Sequence, residues 1–209
     1  MPQVYGHWHI LSRFFNGRRC GTGNRQVRAT ADLDRPFDGG FIIQKYLERS
    51  EVSLAVLVAS TPPTGASGMV KRMAIRRPMA FINTMLTGNG TDSPERTRDY
   101  FFNPETPADI VNRCHQRLQP ESMRALMDMM PSLHPERVRT PVVVIGAEGD
   151  WLVAPPSDLE TTARAYHTTP LIFPGGHDMM LDTAWEQVAT EIEAAIVKRV
   201  SIEAKFRAS

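Results

Sequence analysis

The chain has 209 residues, 42% of them hydrophobic and 22% charged, enough for one domain with a sizeable core or for one domain plus a small lid. Its formal net charge of +1 supplies no field that would draw it to nucleic acid or to an acidic membrane surface, so a small-molecule partner is the default. No stretch reaches the roughly 18 apolar residues of a membrane span, no apolar h-region opens the chain, and Cys20 and Cys114 lack CxxC or Cys/His metal spacing, so a cytoplasmic protein without disulfide, metal or other cofactor is expected.

Residues 1–40 are rich in Arg and Gly, carry no acid before Asp32, and show neither strand alternation nor a helical stripe, which predicts a poorly ordered arm over 1–38. From Gly39 and Gly40 the pattern changes. Phe41, Ile42, Ile43, Tyr46 and Leu47 fall on a 3.6-residue period and predict a helix over roughly 40–49. "VSLAVLVAS" at 52–60 reads as a strand buried on both faces, closed by the turn formers "TPPTGASG". A Met-rich, helix-prone region follows to about 135, broken by "TGNGTDSP" and "FFNPETP", with a helix predicted over 107–118 behind Thr106 and Pro107 as cap and first-turn residues. "TPVVVIGAEGD" contains a second continuous apolar strand, 141–146. In "PPSDLETTARAY", Ser157 and Glu160 have the spacing of a capping box. A short third strand is expected at 169–173, then the Gly-Gly turn that carries His177, and a last helix over 183–200 with Trp185, Val188, Ile192, Ala195, Ile196 and Val200 on one face. Strands alternating with helices in this way predict parallel β-α units.

In parallel α/β sheets the reactive side chains sit just past the carboxyl ends of strands, where loops converge and are free to vary. Asp150 follows the second strand and His177 the third, so a sheet that sets these strands side by side brings carboxylate and imidazole together. An Asp against one ring nitrogen fixes the tautomer and makes the other nitrogen a general base. Such a pair needs a nucleophile in front of it.

Together "GGFIIQKYLE", "LAVLVASTPP", "PVVVIGAEGD" and "FPGGHDMMLDTAWEQVATEI" resemble the C-terminal portion of an α/β-hydrolase, from about Gly39 to Val200, in an esterase/lipase-like or cofactor-free haloperoxidase-like branch. In that family nucleophile, acid and histidine follow in this order, and the nucleophile occupies a G-x-S-x-G elbow between a strand and a helix. The resemblance implies Asp150 as triad acid, with Glu148 as the fallback, His177 as triad base, 39–62 and 136–200 as the hydrolase core, 63–135 as a helical cap, and 201–209 as a tail. It implies a small apolar acyl or ester-like substrate.

Where the family's turn commonly reads H-S-M-G-G, this chain places Pro36, Phe37 and Asp38 before Gly39 and Gly40. The serine is missing. Asp38 stands one residue too late for a nucleophile; its backbone N–H and that of Gly39 are oxyanion-hole candidates, and Ser60 at a strand end is a further pocket candidate, competing with a plain turn role. Residues 1–38 are too few for the strands that precede such an elbow, so an incomplete parallel sheet of about three strands is expected, with an edge open to homo-oligomerisation. The abrupt change at 37–39 further predicts a displaced reading frame or misassigned start ahead of a genuine hydrolase half. Activity is expected to be impaired or absent, and the alternative is a non-catalytic ligand-binding or protein-interaction module.

The methionines of 66–135 (among them Met69, Met73, Met79, Met85, Met123, Met127, Met129 and Met130) suit either an adaptable acyl-binding lid or ordinary core packing. His7 and His9 have H-x-H spacing without further ligands, and Arg13, Arg18, Arg19, Arg25 and Arg28 lack a nucleic-acid motif, so neither set points to a metal or a nucleic acid.

Overall fold

The computed structural model describes residues 36–208 except 121 and 184, with backbone alone at 36–38, 199–200 and 202–208. Residues 1–35 of the expected arm, with His7, His9, Cys20 and its arginines, lie outside the described residues. Contacts divide the chain at Thr30 and Ala31, and all the described residues fall in the second unit, Ala31–Ser209.

Three strands, β1 (Ala55–Val58), β2 (Val142–Ala147) and β3 (Leu171–Phe173), form a parallel sheet in the order β1-β2-β3. Ala55 pairs with Val142 and Ile145 with Leu171, so the carboxyl ends of all three strands point the same way. The strands are shorter than the apolar runs that announce them. At the end of β1, Ala59 turns out of the ladder with φ of 45° while its N–H still donates to Ile145 O.

Because strand side chains alternate, each run feeds two cores. On one face Ala55, Leu57, Val142 and Val144 meet Leu47 of helix α1 (Pro36–Leu47) and Leu159 and Ala163 of a later helix, Pro156–Ala165. On the other, Val56, Val58, Val143 and Ile145 meet Val188 and Ile192 of the last helix, Trp185–Ala208. Each fully buried aliphatic side chain contributes about 1.5–3 kcal/mol, and both faces are needed to hold so small a sheet. Helices on both faces of a parallel sheet are the expected architecture.

Among the described residues, five α-helices lie between β1 and β2: α2 (Ser67–Arg76), α3 (Pro78–Thr87), α4 (Pro94–Phe101), α5 (Ala108–His115) and α6 (Met123–Asp128). Pro156–Ala165 is then α7 and Trp185–Ala208 is α8. The inserted helices do not stand apart from the sheet. Tyr100, Phe101, Phe102 and Val111 pack with Leu152 and Val153 from the loop after β2, and Ala66, Met129 and Leu133 pack on Phe41 of α1. Arg72 adds polar ties, donating from Nε to Leu152 O (2.9 Å) and from Nη2 to Val153 O and to Asp158. The methionines divide: Met129 is buried, Met69 and Met73 pack at the edge of the helical core, and Met79 and Met127 are exposed.

Several local expectations give way to tertiary contacts. Helix α1 starts at Pro36, so positions 37 and 38 lie in its first turn and not in a loop ahead of it. The predicted 107–118 helix is Ala108–His115, and Thr106 caps nothing; its hydroxyl is drawn to Asp182. The capping box at Ser157 and Glu160 does not form, because α7 begins at Pro156 with Pro155 as its N-cap, two residues earlier than that box requires, which leaves Ser157 inside the first turn.

Candidate functional site

The loops after β2 and β3 are zipped together beyond the ends of the ladder. Glu148 N donates to Phe173 O at 2.9 Å and Gly149 N to Gly175 O at 3.0 Å. Gly175 has φ of 125°, a conformation open to glycine and costly to other residues, two residues ahead of His177.

His177 Nδ1 lies 2.7 Å from Asp150 Oδ2, with both side chains sealed from solvent. The carboxylate is held from behind by backbone: Oδ1 accepts from Leu152 N (3.1 Å) and Val153 N (2.9 Å), and Oδ2 also accepts from Ala154 N (3.0 Å). Burial pushes the Asp150 pKa up, but the His177 charge and hydrogen bond and the backbone amides outweigh it and hold the carboxyl below its ordinary value. Burial likewise disfavours the charged imidazole, yet Asp150, with a further push from Asp178, leaves the His177 pKa raised. A proton on Nδ1 donates to Asp150 and puts the ring's lone pair on Nε2, the arrangement a general base requires.

A second carboxyl adjoins the ring. Asp178 is buried, its Oδ2 faces the Cys114 thiol at 3.8 Å, and its N–H donates to Phe101 O at 2.8 Å. Burial raises its pKa, and the opposing pull of His177 and of the Cys114 hydrogen bond does not cancel it. The same burial, with Asp178 alongside, pushes the Cys114 thiol up to about 12. Cys114 is a free thiol.

The remaining candidates fall elsewhere. Glu148 is exposed at the end of β2, while the buried carboxylate against His177 belongs to Asp150. Ser60 is buried and engaged: Gln44 Nε2 donates to its Oγ at 2.8 Å, and that Oγ donates to Thr61 O. Gly39 and the Asp38 backbone lie in the first turn of α1, whose leading N–H groups have no partners within the helix. Among the described residues no group of three or more His, Cys, Asp or Glu side chains is placed to hold a metal ion, and no helix is long and apolar enough to cross a membrane.

Two residues passed over by sequence reasoning organise the site's surroundings. Gln44 is fully buried on the apolar face of α1, accepting from Tyr166 Oη at 3.0 Å and donating to Thr61 O and Ser60. Its signal was a lone amide at the i+3 position between Phe41 and Leu47. Asp182, also buried, accepts from Asn103, Thr106, Gly176 and Thr183. It stands five residues after His177, in "HDMMLD", where nothing separates it from an ordinary turn acid.

The fold is α/β-hydrolase-like, with an incomplete parallel sheet. No protein-family model matches the chain, and no curated protein matches it. Among solved structures, a thermophilic esterase from Thermogutta terrifontis, determined with malate bound, is similar over 77% of this chain and 62% of its own, at 20% identity and a TM-score of 0.55. An esterase from Exiguobacterium antarcticum is similar over 78% of this chain and 65% of its own, at 18% identity and a TM-score of 0.57. The chain thus spans less than two thirds of either esterase.

Proposed function

We propose that this chain carries the acid-and-base half of an ester-hydrolysing site, with His177 as general base, Asp150 as its orienter, and a small apolar acyl or ester-like molecule as substrate. One observation carries the reading: the sealed 2.7 Å contact between His177 Nδ1 and Asp150 at the ends of adjacent parallel strands. The esterase neighbours support the same chemistry by analogy of fold. In this reading residues 39–62 and 136–200 are the core, 63–135 the cap, and the leading amides of α1 half of an oxyanion hole. No metal or organic cofactor is called for.

The reading also predicts a deficit. Phe37 stands where the serine would be, and without a nucleophile a triad enzyme keeps only about 10³- to 10⁴-fold of its acceleration over water. The test is p-nitrophenyl acetate hydrolysis by the chain as it is and by Phe37→Ser, each with and without His177→Ala. Turnover gained in Phe37→Ser and lost again on adding His177→Ala supports the assignment; turnover indifferent to His177→Ala overturns it.

A second reading, ligand or partner binding without turnover, draws on the phenylalanine at position 37 and on β1 having a strand neighbour on one side only among the described residues. Binding of a short acyl ester with no hydrolysis in any variant favours it.

A further inference from the structure

His177 is flanked by two backbone amides, and both are anchored to one segment of the inserted helical region. On one side, Asp178 N donates to Phe101 O at 2.8 Å. On the other, Gly176 N donates to Asp182 Oδ2 at 3.2 Å, and the same oxygen accepts from Asn103 N at 3.1 Å. The other oxygen, Oδ1, accepts from Thr106 Oγ1 at 2.6 Å and from Thr183 N at 2.7 Å. The loop and the segment also touch without any gap: a Cβ on Gly176 would come 2.5 Å from Phe101 O and 2.6 Å from Phe102 Cα.

The partner segment is itself tied by hydrogen bonds. Thr106 N closes a turn onto Asn103 O at 3.0 Å, Glu105 N donates to Asn103 Oδ1, and Arg98 Nη1 donates to the carbonyls of Pro104 and Thr106. A segment tied in this way and held to a loop by a buried carboxylate transmits its position to that loop.

The chemistry of the four partners explains why the residue is an aspartate. Every one of them is a donor: three backbone N–H groups and the Thr106 hydroxyl, with the Thr183 hydroxyl at a longer 3.4 Å. Only an ionised carboxylate offers two oxygens that accept and nothing that donates. An asparagine of the same shape would turn an NH₂ toward two of these donors in either orientation.

We propose that Asp182 is a positioning residue that clasps the His177 loop to residues 103–106 and so fixes the imidazole against Asp150. The proposal rests on the reading of that pair as a base and its orienter. It gives Asp182 no contact with substrate; it acts through Gly176 and the loop.

The test uses the full chain and needs no turnover. In Asp182→Asn, amide hydrogen exchange at Gly176 and Asn103 should quicken about tenfold or more while the amides of β2 keep their protection. The His177 imidazole, followed by NMR through a pH titration, should at the same time move down toward its ordinary value as its contact with Asp150 loosens. Uniform loss of protection across β2, or an unmoved His177 titration, overturns the proposal. Should Asp182→Asn fail to fold, Thr106→Val removes one donor from outside the loop; it should quicken exchange at Gly176 and shift His177 in the same direction, and no change at either site overturns the clasp. If no variant hydrolyses an ester, the hydrolytic reading fails while both of these readouts still decide the role of Asp182.

Discussion

Gly40 lies against Ser60 so closely that a Cβ on the glycine would come 2.2 Å from the serine Oγ and 3.1 Å from its Cα. The first turn and a half of α1 is thereby seated on the end of β1 with no room for a side chain between them. Gly40→Ala has to push Ser60 and the backbone behind it, and overpacking of this kind costs about 1–3 kcal/mol. A urea-denaturation midpoint shifted to lower concentration by that amount checks it, and an unshifted midpoint would mean the contact is loose.

Gln44 completes the same seat. Its amide nitrogen serves Gly40 O, Ser60 Oγ and Thr61 O, and its oxygen takes the Tyr166 hydroxyl. Gln44→Leu strands buried polar groups and should cost about 1–3 kcal/mol. Gln44→Glu should cost more, since it aims a carboxylate at two carbonyl oxygens. Denaturation of the two variants in parallel gives the ranking; equal stability would refute it.

The His177–Asp150 contact makes stability depend on pH in a definite sense. The His177 pKa is raised in the folded chain: burial lowers it, but Asp150 and then Asp178 raise it further. Its stabilising contribution is therefore complete below the unfolded value of about 6.5 and is lost as pH rises through the folded value. Asp150, whose folded pKa is depressed, contributes in the opposite direction, losing its share as pH falls below about 4. Wild type should exceed His177→Ala in thermal midpoint by more at pH 6 than at pH 9. A gap of equal size at both would show that the pair is not coupled to folding.

Cys114 should be nearly inert. With the thiol pushed up to about 12, first by burial and then by Asp178, little thiolate exists at pH 8. Iodoacetamide should leave Cys114 unmodified in the native chain and alkylate it promptly in urea, as read by peptide mass spectrometry. Rapid native labelling would mean that the Cys114–Asp178 contact opens.

The strands were legible because continuous runs such as "VVVIGA" serve two cores at once, and a run apolar on both faces has few other uses. The placement of Asp150 and His177 after adjacent strands followed from the same runs. What escaped were interactions between residues far apart in the chain. Thr106 before a proline looks like a helix cap, yet its hydroxyl bonds a carboxylate 76 residues away. Ser157 and Glu160 have capping spacing, but the chain enters α7 through two prolines that set the start two residues early. Gln44 and Asp182 are buried polar hubs whose partners lie largely in other segments, so Asp182 carries no local sign of its role and Gln44 only that of a lone amide on an apolar helix face.

The order of the sheet bears on how such a chain can diversify. Asp150 and His177 both follow strands that come after the helices between β1 and β2, so a change of those helices would leave the chain spacing of the two side chains as it is. Asp182 sets the terms of such a change: any replacement must present a backbone amide and a hydroxyl where Asn103 and Thr106 now stand, or supply a different counterpart for a buried carboxylate.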